Sequence, residues 1–231
     1  MFLKSNQKNL VLFLDAATEI FYIAIWDLGT GAMVQKQFNH REIKGEALLS
    51  VIKSLFDETG YDVHSVAYLC TTKGPGSLTG LRIAMSILKT MAQILNVPIV
   101  SLPTLYALEQ SYVQPLELKS ARIMTCLMAR KNSYYVRFSD SNEDCFEQIS
   151  GEMLIQALKN VNISLWAQSH LSQVPCDKQP DKSVIIGLSP LILFGLFEKK
   201  YQQQDTVNYL NCHPEYAGKS VAEVNFEVKK K

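Results

Sequence analysis

Three apolar runs of strand length stand within the first 38 residues: LVLFL at 10–14, IFYIAIW at 20–26 and AMVQKQF at 32–38. Gaps this short leave no room for a crossover, so the strands must run as an antiparallel meander, with Gly29-Thr30-Gly31 turning between the second and third. The period then changes. Leu48, Val51, Ile52, Leu55 and Phe56 recur at helical spacing, and Gly60 ends the stripe. SVAYLCTT at 65–72 predicts a fourth strand, and Thr79–Asn96 a second helix that stops before Pro98. IVSL at 99–102 predicts a short fifth strand, and 103–112 a third helix opening on Pro103.

The first half therefore reads β-β-β-α-β-α-β-α, the element order of a ribonuclease-H-like unit. The second half echoes it without repeating its sequence. RIMTCLM at 122–128 and YYVRFS at 134–139 predict a strand pair, and GEMLIQALKN at 151–160 a helix. ISLWA at 163–167 and SVIIGL at 183–188 predict strands, and PLILFGLFEKKY at 190–201 a last helix. Hydrophobicity thins over 111–121, which places a boundary there and predicts two lobes, 1–112 and 113–231. With 47% of 231 residues hydrophobic, the chain can bury a core in either arrangement.

A net charge of +1 creates no global field toward nucleic acid or membrane. The basic run Lys229-Lys230-Lys231 reads as a solvated end, and tight tRNA binding by the isolated chain is not expected. The five cysteines are scattered, odd in number and without a C-x-x-C pair; Cys70 and Cys126 lie in apolar runs and read as buried thiols of a reducing compartment. LVLFL is stopped by Asp15, too short for a signal peptide, and no run approaches the ~18 apolar residues of a membrane span. These features predict a soluble, cytoplasmic protein with no membrane partner.

The stretch KGPGSLTGLRIAMS at 73–86 invites a phosphate-binding reading that its spacing does not support. A P-loop needs G-x-x-x-x-G-K-[ST], but Gly74 and Gly80 are one step too far apart and Leu81 stands where lysine is required. Gly74, Gly76 and Gly80 are likewise one residue too long for G-x-G-x-x-G, and Pro75 removes a backbone donor. The simpler expectation is a strand-to-helix turn, stiffened by Pro75, with Gly76 in an unusual backbone conformation and Ser77 or Thr79 capping the helix. On that helix Arg82, Ser86, Lys89, Thr90, Gln93 and Asn96 occupy roughly 120°. Apolar residues fill the other arc of about 240°, more than one core face requires. Either the helix is central to the fold or part of it meets another protein.

His40, His64, His170 and His213 have no metal-ligand spacing, so no metal site is expected, and no nucleophile elbow appears. Asp15 ends the first strand in LDAATE. It could anchor magnesium or a phosphate-loop threonine such as Thr18, or simply cap a hairpin turn.

LDAATE, GPGSLTGLRI and the late PEYAGKSVAE together resemble the TsaB (YeaZ) family. Gly74 through Ile83 follow that family's middle motif, with Leu78 in place of phenylalanine. Four departures are visible. The segment opening the first helix, Lys44-Gly45-Glu46-Ala47-Leu48-Leu49-Ser50, keeps the family's glutamate and leucines but not its histidine. Met128-Ala129-Arg130 stands where the family has D-A-R, and Ala84 replaces a common glycine. Gly218-Lys219 lie near the usual late arginine.

The resemblance implies an α/β, actin-like and sugar-kinase-like fold of two ribonuclease-H-like lobes with mixed sheets. It implies a noncatalytic subunit in the formation of N6-threonylcarbamoyladenosine on tRNA. Such a subunit binds a metal-containing TsaD-like paralogue, with a TsaE-like ATPase joining, and reaches tRNA only through the complex. The docking face would lie on the first two helices, at Leu48, Ile52, Leu55, Arg82, Met85, Leu88 and Lys89, and could also serve a homodimer. No cofactor is required in this reading. The alternative is an actin-like ATPase or sugar-kinase-like phosphotransferase that holds ATP or ADP with magnesium at Asp15 and Thr18. A peptidase, an older assignment of this superfamily, finds no nucleophile–base pair.

Overall fold

The computed structural model describes residues 8–40, 42, 47–116, 121–130, 132–167 and 182–215. The first sheet consists of β1 (Leu10–Asp15), β2 (Ile20–Asp27), β3 (Met33–Asn39), β4 (Val66–Gly74) and β5 (Ile99–Pro103), in the order β3-β2-β1-β4-β5. β1, β2 and β3 are antiparallel; β4 and β5 join parallel. The second sheet consists of β6 (Ile123–Arg130), β7 (Ser133–Phe138), β8 (Glu147–Ser150), β9 (Ile163–Ala167) and β10 (Lys182–Ile186). Its order, β8-β7-β6-β9-β10, repeats the first, with the same antiparallel and parallel partners. The echo of element order in the sequence is thus a duplicated topology: two ribonuclease-H-like mixed sheets in an α/β protein.

The helices are α1 (Leu48–Thr59), α2 (Leu78–Leu95), α3 (Thr104–Leu116), α4 (Gly151–Leu158) and α5 (Pro190–Gln202). β1 is buried along its whole length because both faces are covered, which is why it reads as a continuous apolar run. Its Leu10, Leu12 and Leu14 meet the side chains of α1 and α2, while Val11 and Phe13 face α5. In the second sheet Met124 and Cys126 of β6 face α4, and Ile123 and Leu127 face α3.

The third helices cross between the sheets. Leu105 and Leu108 of α3 pack against the second sheet and its Ala107 against the first, whereas Ile192, Leu193, Leu196 and Phe197 of α5 pack against the first. The segment after α5 follows it: Val207 bridges Ile99, and Cys212 joins the core beneath α1 and α2. At about 1.5–3 kcal/mol per fully buried large side chain, these crossed contacts couple the sheets strongly.

β8 is a strand that no sequence pattern announced. Its EQIS buries only Ile149, and it sits at the sheet edge, where one buried side chain suffices. Pro103 ends β5 opposite Gly74 rather than opening α3. α2 is 18 residues long and, by length and composition, apolar enough to cross a membrane, a test that a core helix also passes. Here Leu81, Ala84, Met85, Ile87, Leu88, Ala92 and Leu95 are buried against the sheet and its surroundings.

Candidate functional site

The LDAATE and GPGSLTGLRI stretches meet in space. β1 ends at Asp15, and the turn to β2 carries Ala16, Ala17 and Thr18; beside it β4 ends at Gly74, and the turn Pro75-Gly76-Ser77 starts α2. Ser77 is the N-cap of α2, its Oγ accepting from the Gly80 N–H at 3.2 Å. Asn96 closes the helix in a left-handed conformation.

The glycines bring backbones into contact. The Ser77 N–H donates to the Ala17 carbonyl at 2.7 Å, and a Cβ on Gly76 would stand 2.5 Å from that oxygen. A Cβ on Gly80 would overlap the Ala16 carbonyl. Gly76 therefore serves close approach, not the unusual backbone angle expected of it; that angle belongs to Gly74, at φ +117°. The Gly74 N–H donates to Thr104 Oγ1 at 3.1 Å, and the Leu81 N–H to the Ser77 carbonyl at 2.9 Å. The N–H groups of Gly74, Ser77, Gly80 and Leu81 are thus spent on packing the turn against α3, the β1–β2 turn and its own helix.

Asp15 is fully buried. Its Oδ1 accepts from Thr72 Oγ1 and, at 3.2 Å, from the Ala17 N–H, while Oδ2 has no hydrogen-bond partner. Burial pushes the carboxyl up to about 6, outweighing the two hydrogen bonds that favour the anion. Thr18 turns inward on its own hairpin, its hydroxyl donating to the Ile20 carbonyl at 3.3 Å. Thr72, which no motif flagged, is the hydroxyl that reaches Asp15; its place at the end of a strand parallel to β1 was the available signal.

The third motif arrives through its first residues. Glu215 lies across the glycine turn: its N–H donates to the Lys73 carbonyl at 2.6 Å, and its own carbonyl occupies the space a Gly74 side chain would need. Lys73 Nζ stands 2.7 Å from both Glu215 and Asp144. Burial alone would lower the Lys73 ammonium, but these two carboxylates more than offset it and its pKa rises. The rest of that motif, with Gly218-Lys219, lies outside the described residues, as do Lys44–Glu46, Cys176, His170 and the terminal lysines.

The expected docking residues divide. Leu48, Ile52, Leu55, Met85 and Leu88 all belong to the core between the first sheet and its helices. Their place is a correction to the expected outer face: most of the wide apolar arc of α2 is used by the chain itself. A charge at Met85 would accordingly test folding, not docking. Arg82 is exposed and Lys89 half-buried. The apolar side chains left outside on these helices are Leu49 at 56% exposure, Leu78 at 37% and Ile94 at 74%.

A second polar centre escaped the sequence reading. Glu109 of α3 and Arg137 of β7 form a buried ion pair, with Thr125 Oγ1 3.4 Å from Glu109 and the guanidinium 5.1 Å from the Tyr106 ring centre. At Met128, where the family places an aspartate, the side chain packs against the core under α4. Cys70, Cys126 and Cys212 are buried free thiols, and burial pushes them up. Among the described residues no group of His, Cys, Asp or Glu is arranged to hold a metal ion.

A family model described as TsaD, tRNA N6-adenosine threonylcarbamoyltransferase, matches residues 39–223. The tRNA threonylcarbamoyladenosine biosynthesis protein TsaB of Haemophilus influenzae is 26% identical over 229 positions, covering 91% of this chain and 94% of that protein. TsaB of Escherichia coli is 27% identical over 54% of this chain and 52% of its own length. The solved structure of YeaZ from Pseudomonas aeruginosa superposes with a TM-score of 0.68 at 19% identity, covering 90% of this chain and all of that one, so the two share a fold. The chain belongs to the family described by the TsaD model, and its named likenesses lie on the TsaB (YeaZ) side of it.

Proposed function

We propose that the chain is a noncatalytic subunit needed to form N6-threonylcarbamoyladenosine on tRNA, acting in the cytoplasm by docking a TsaD-like paralogue that carries the metal chemistry. A TsaE-like ATPase would join the pair, and tRNA would be met through the assembly. The observation that supports this reading is the use of the glycine motif: the N–H groups of Gly74, Ser77 and Gly80 go to Thr104 Oγ1, the Ala17 carbonyl and Ser77 Oγ, holding the turn to its neighbours in place of a transferred phosphoryl group. The docking face would be the outer side of α1 and α2, with Leu49, Leu78 and Ile94 as apolar contacts and Arg82 and Lys89 beside them. A second copy of the chain could use the same face when the paralogue is absent.

Co-purification with the TsaD-like protein of the same cell tests this. Leu49→Glu and Ile94→Glu are exposed changes and should leave the fold intact while weakening capture by at least about tenfold. Undiminished capture by the folded double variant would sink the proposed face. Asp15 supports a second reading, in which its buried, unpartnered oxygen serves a magnesium–nucleotide complex. ATP turnover by the purified chain that disappears in Asp15→Ala would favour that reading over the first.

A further inference from the structure

The β7–β8 connection, SDSNEDCF at 139–146, sends its acids in different directions. Asp140 pairs with Arg122 beside β6, while Glu143 pairs with Lys199 and, at 3.8 Å, with Lys200 of α5. Asp144 reaches Lys73 at 2.7 Å. Lys73 lies in β4 immediately before the glycine turn, and the same ammonium holds Glu215 at 2.7 Å. One side chain thus ties together three segments remote in sequence: the first sheet, the second sheet's hairpin loop and the segment after α5.

We propose that Lys73, Asp144 and Glu215 form an electrostatic latch. It holds the second lobe's β7–β8 loop and the segment 213–215 on the first lobe's glycine turn, so that opening it releases both together. Two features support it. The Lys73 side chain is only 18% exposed, so its pairs are screened less than open surface pairs. The Glu215 main chain fits against Gly74 only because that residue has no side chain, so the strap has a shaped seat as well as a charge. The loop is also held by the Glu143 pairs to Lys199 and Lys200, and the segment after α5 by the Val207–Ile99 bridge and buried Cys212, while the deeper ties run through the apolar faces of α3 and α5 and the buried Glu109–Arg137 pair. The two carboxylates share one cation. Losing either leaves the other paired, whereas losing Lys73 leaves two like charges facing each other.

Hydrogen–deuterium exchange on the full chain tests the latch. Lys73→Met should raise exchange in both 141–146 and 208–215, on the order of tenfold, with β1, β2, β6 and β7 unchanged. Asp144→Asn should raise 141–146 alone, and Glu215→Gln 208–215 alone. Sodium chloride near 0.5 M should raise exchange in the same two segments of the wild type, by less than Lys73→Met does, because partly buried pairs are only partly screened. The latch is overturned if Lys73→Met leaves either segment at its wild-type rate, or raises the sheets equally. Should Lys73→Met fail to fold, the double variant Asp144→Asn, Glu215→Gln decides: both segments must exchange faster.

Discussion

The ends of β1 and β6 occupy the same place in two sheets of identical strand order, yet they carry opposite chemistry. β1 ends in Asp15, sealed from solvent with one oxygen unpartnered, under a turn whose carbonyls touch Gly76 and Gly80. β6 ends in Met128-Ala129-Arg130, and Met128 simply packs against the core. Each lobe also sets a glycine near a helix start against its first hairpin turn. In the first lobe Gly80 meets the Ala16 backbone; in the second Gly151 meets the Asn132 side chain, and its N–H donates to the Asn132 carbonyl at 3.1 Å. The two halves thus share one strand order, and the first alone ends its leading strand in a buried acid with an unpartnered oxygen.

Three substitutions probe that asymmetry. The largest effect is expected from Gly80→Ala, because the new Cβ would collide with a carbonyl that β1 and β2 hold in place. A loss of about 4 kcal/mol in denaturant unfolding is expected; a loss below about 1 kcal/mol would show that the junction can yield.

Asp15→Asn comes next. The folded carboxyl titrates at about 6 against an ordinary 3.8, so between those values the folded state holds the proton that the unfolded state has released. Wild-type stability should fall as pH rises through this window and level off above it, by roughly 3 kcal/mol at 1.36 kcal/mol per unit. The asparagine variant should lack that slope. Parallel pH–stability curves for the two proteins would remove Asp15 as the source.

Gly151→Ala should have the smallest effect, because an Asn132 side chain can swing aside where a backbone cannot. A cost of about 1 kcal/mol is expected, and a cost matching that of Gly80→Ala would erase the contrast between the lobes.

Local pattern determined a great deal about this protein. The strands with apolar runs, the helices with 3.6-residue stripes, the Ser77 cap and the placement of Asp15 at a strand end were all legible, because each depends on neighbours within a few residues. β8 was not, since an edge strand with one buried residue leaves no alternation to read. What only the tertiary structure decided lies between segments. Amphipathic arcs tell that Met85 and Leu88 are apolar, not whether a partner or the chain's own sheet covers them; the first sheet does, because it needs both faces sealed. Thr72 on Asp15, Arg137 on Glu109 and Glu215 on Lys73 join residues 57, 28 and 142 positions apart. The crossing of α3 and α5 is of the same kind: it satisfies two sheet faces at once, a requirement that neither half of the sequence contains by itself.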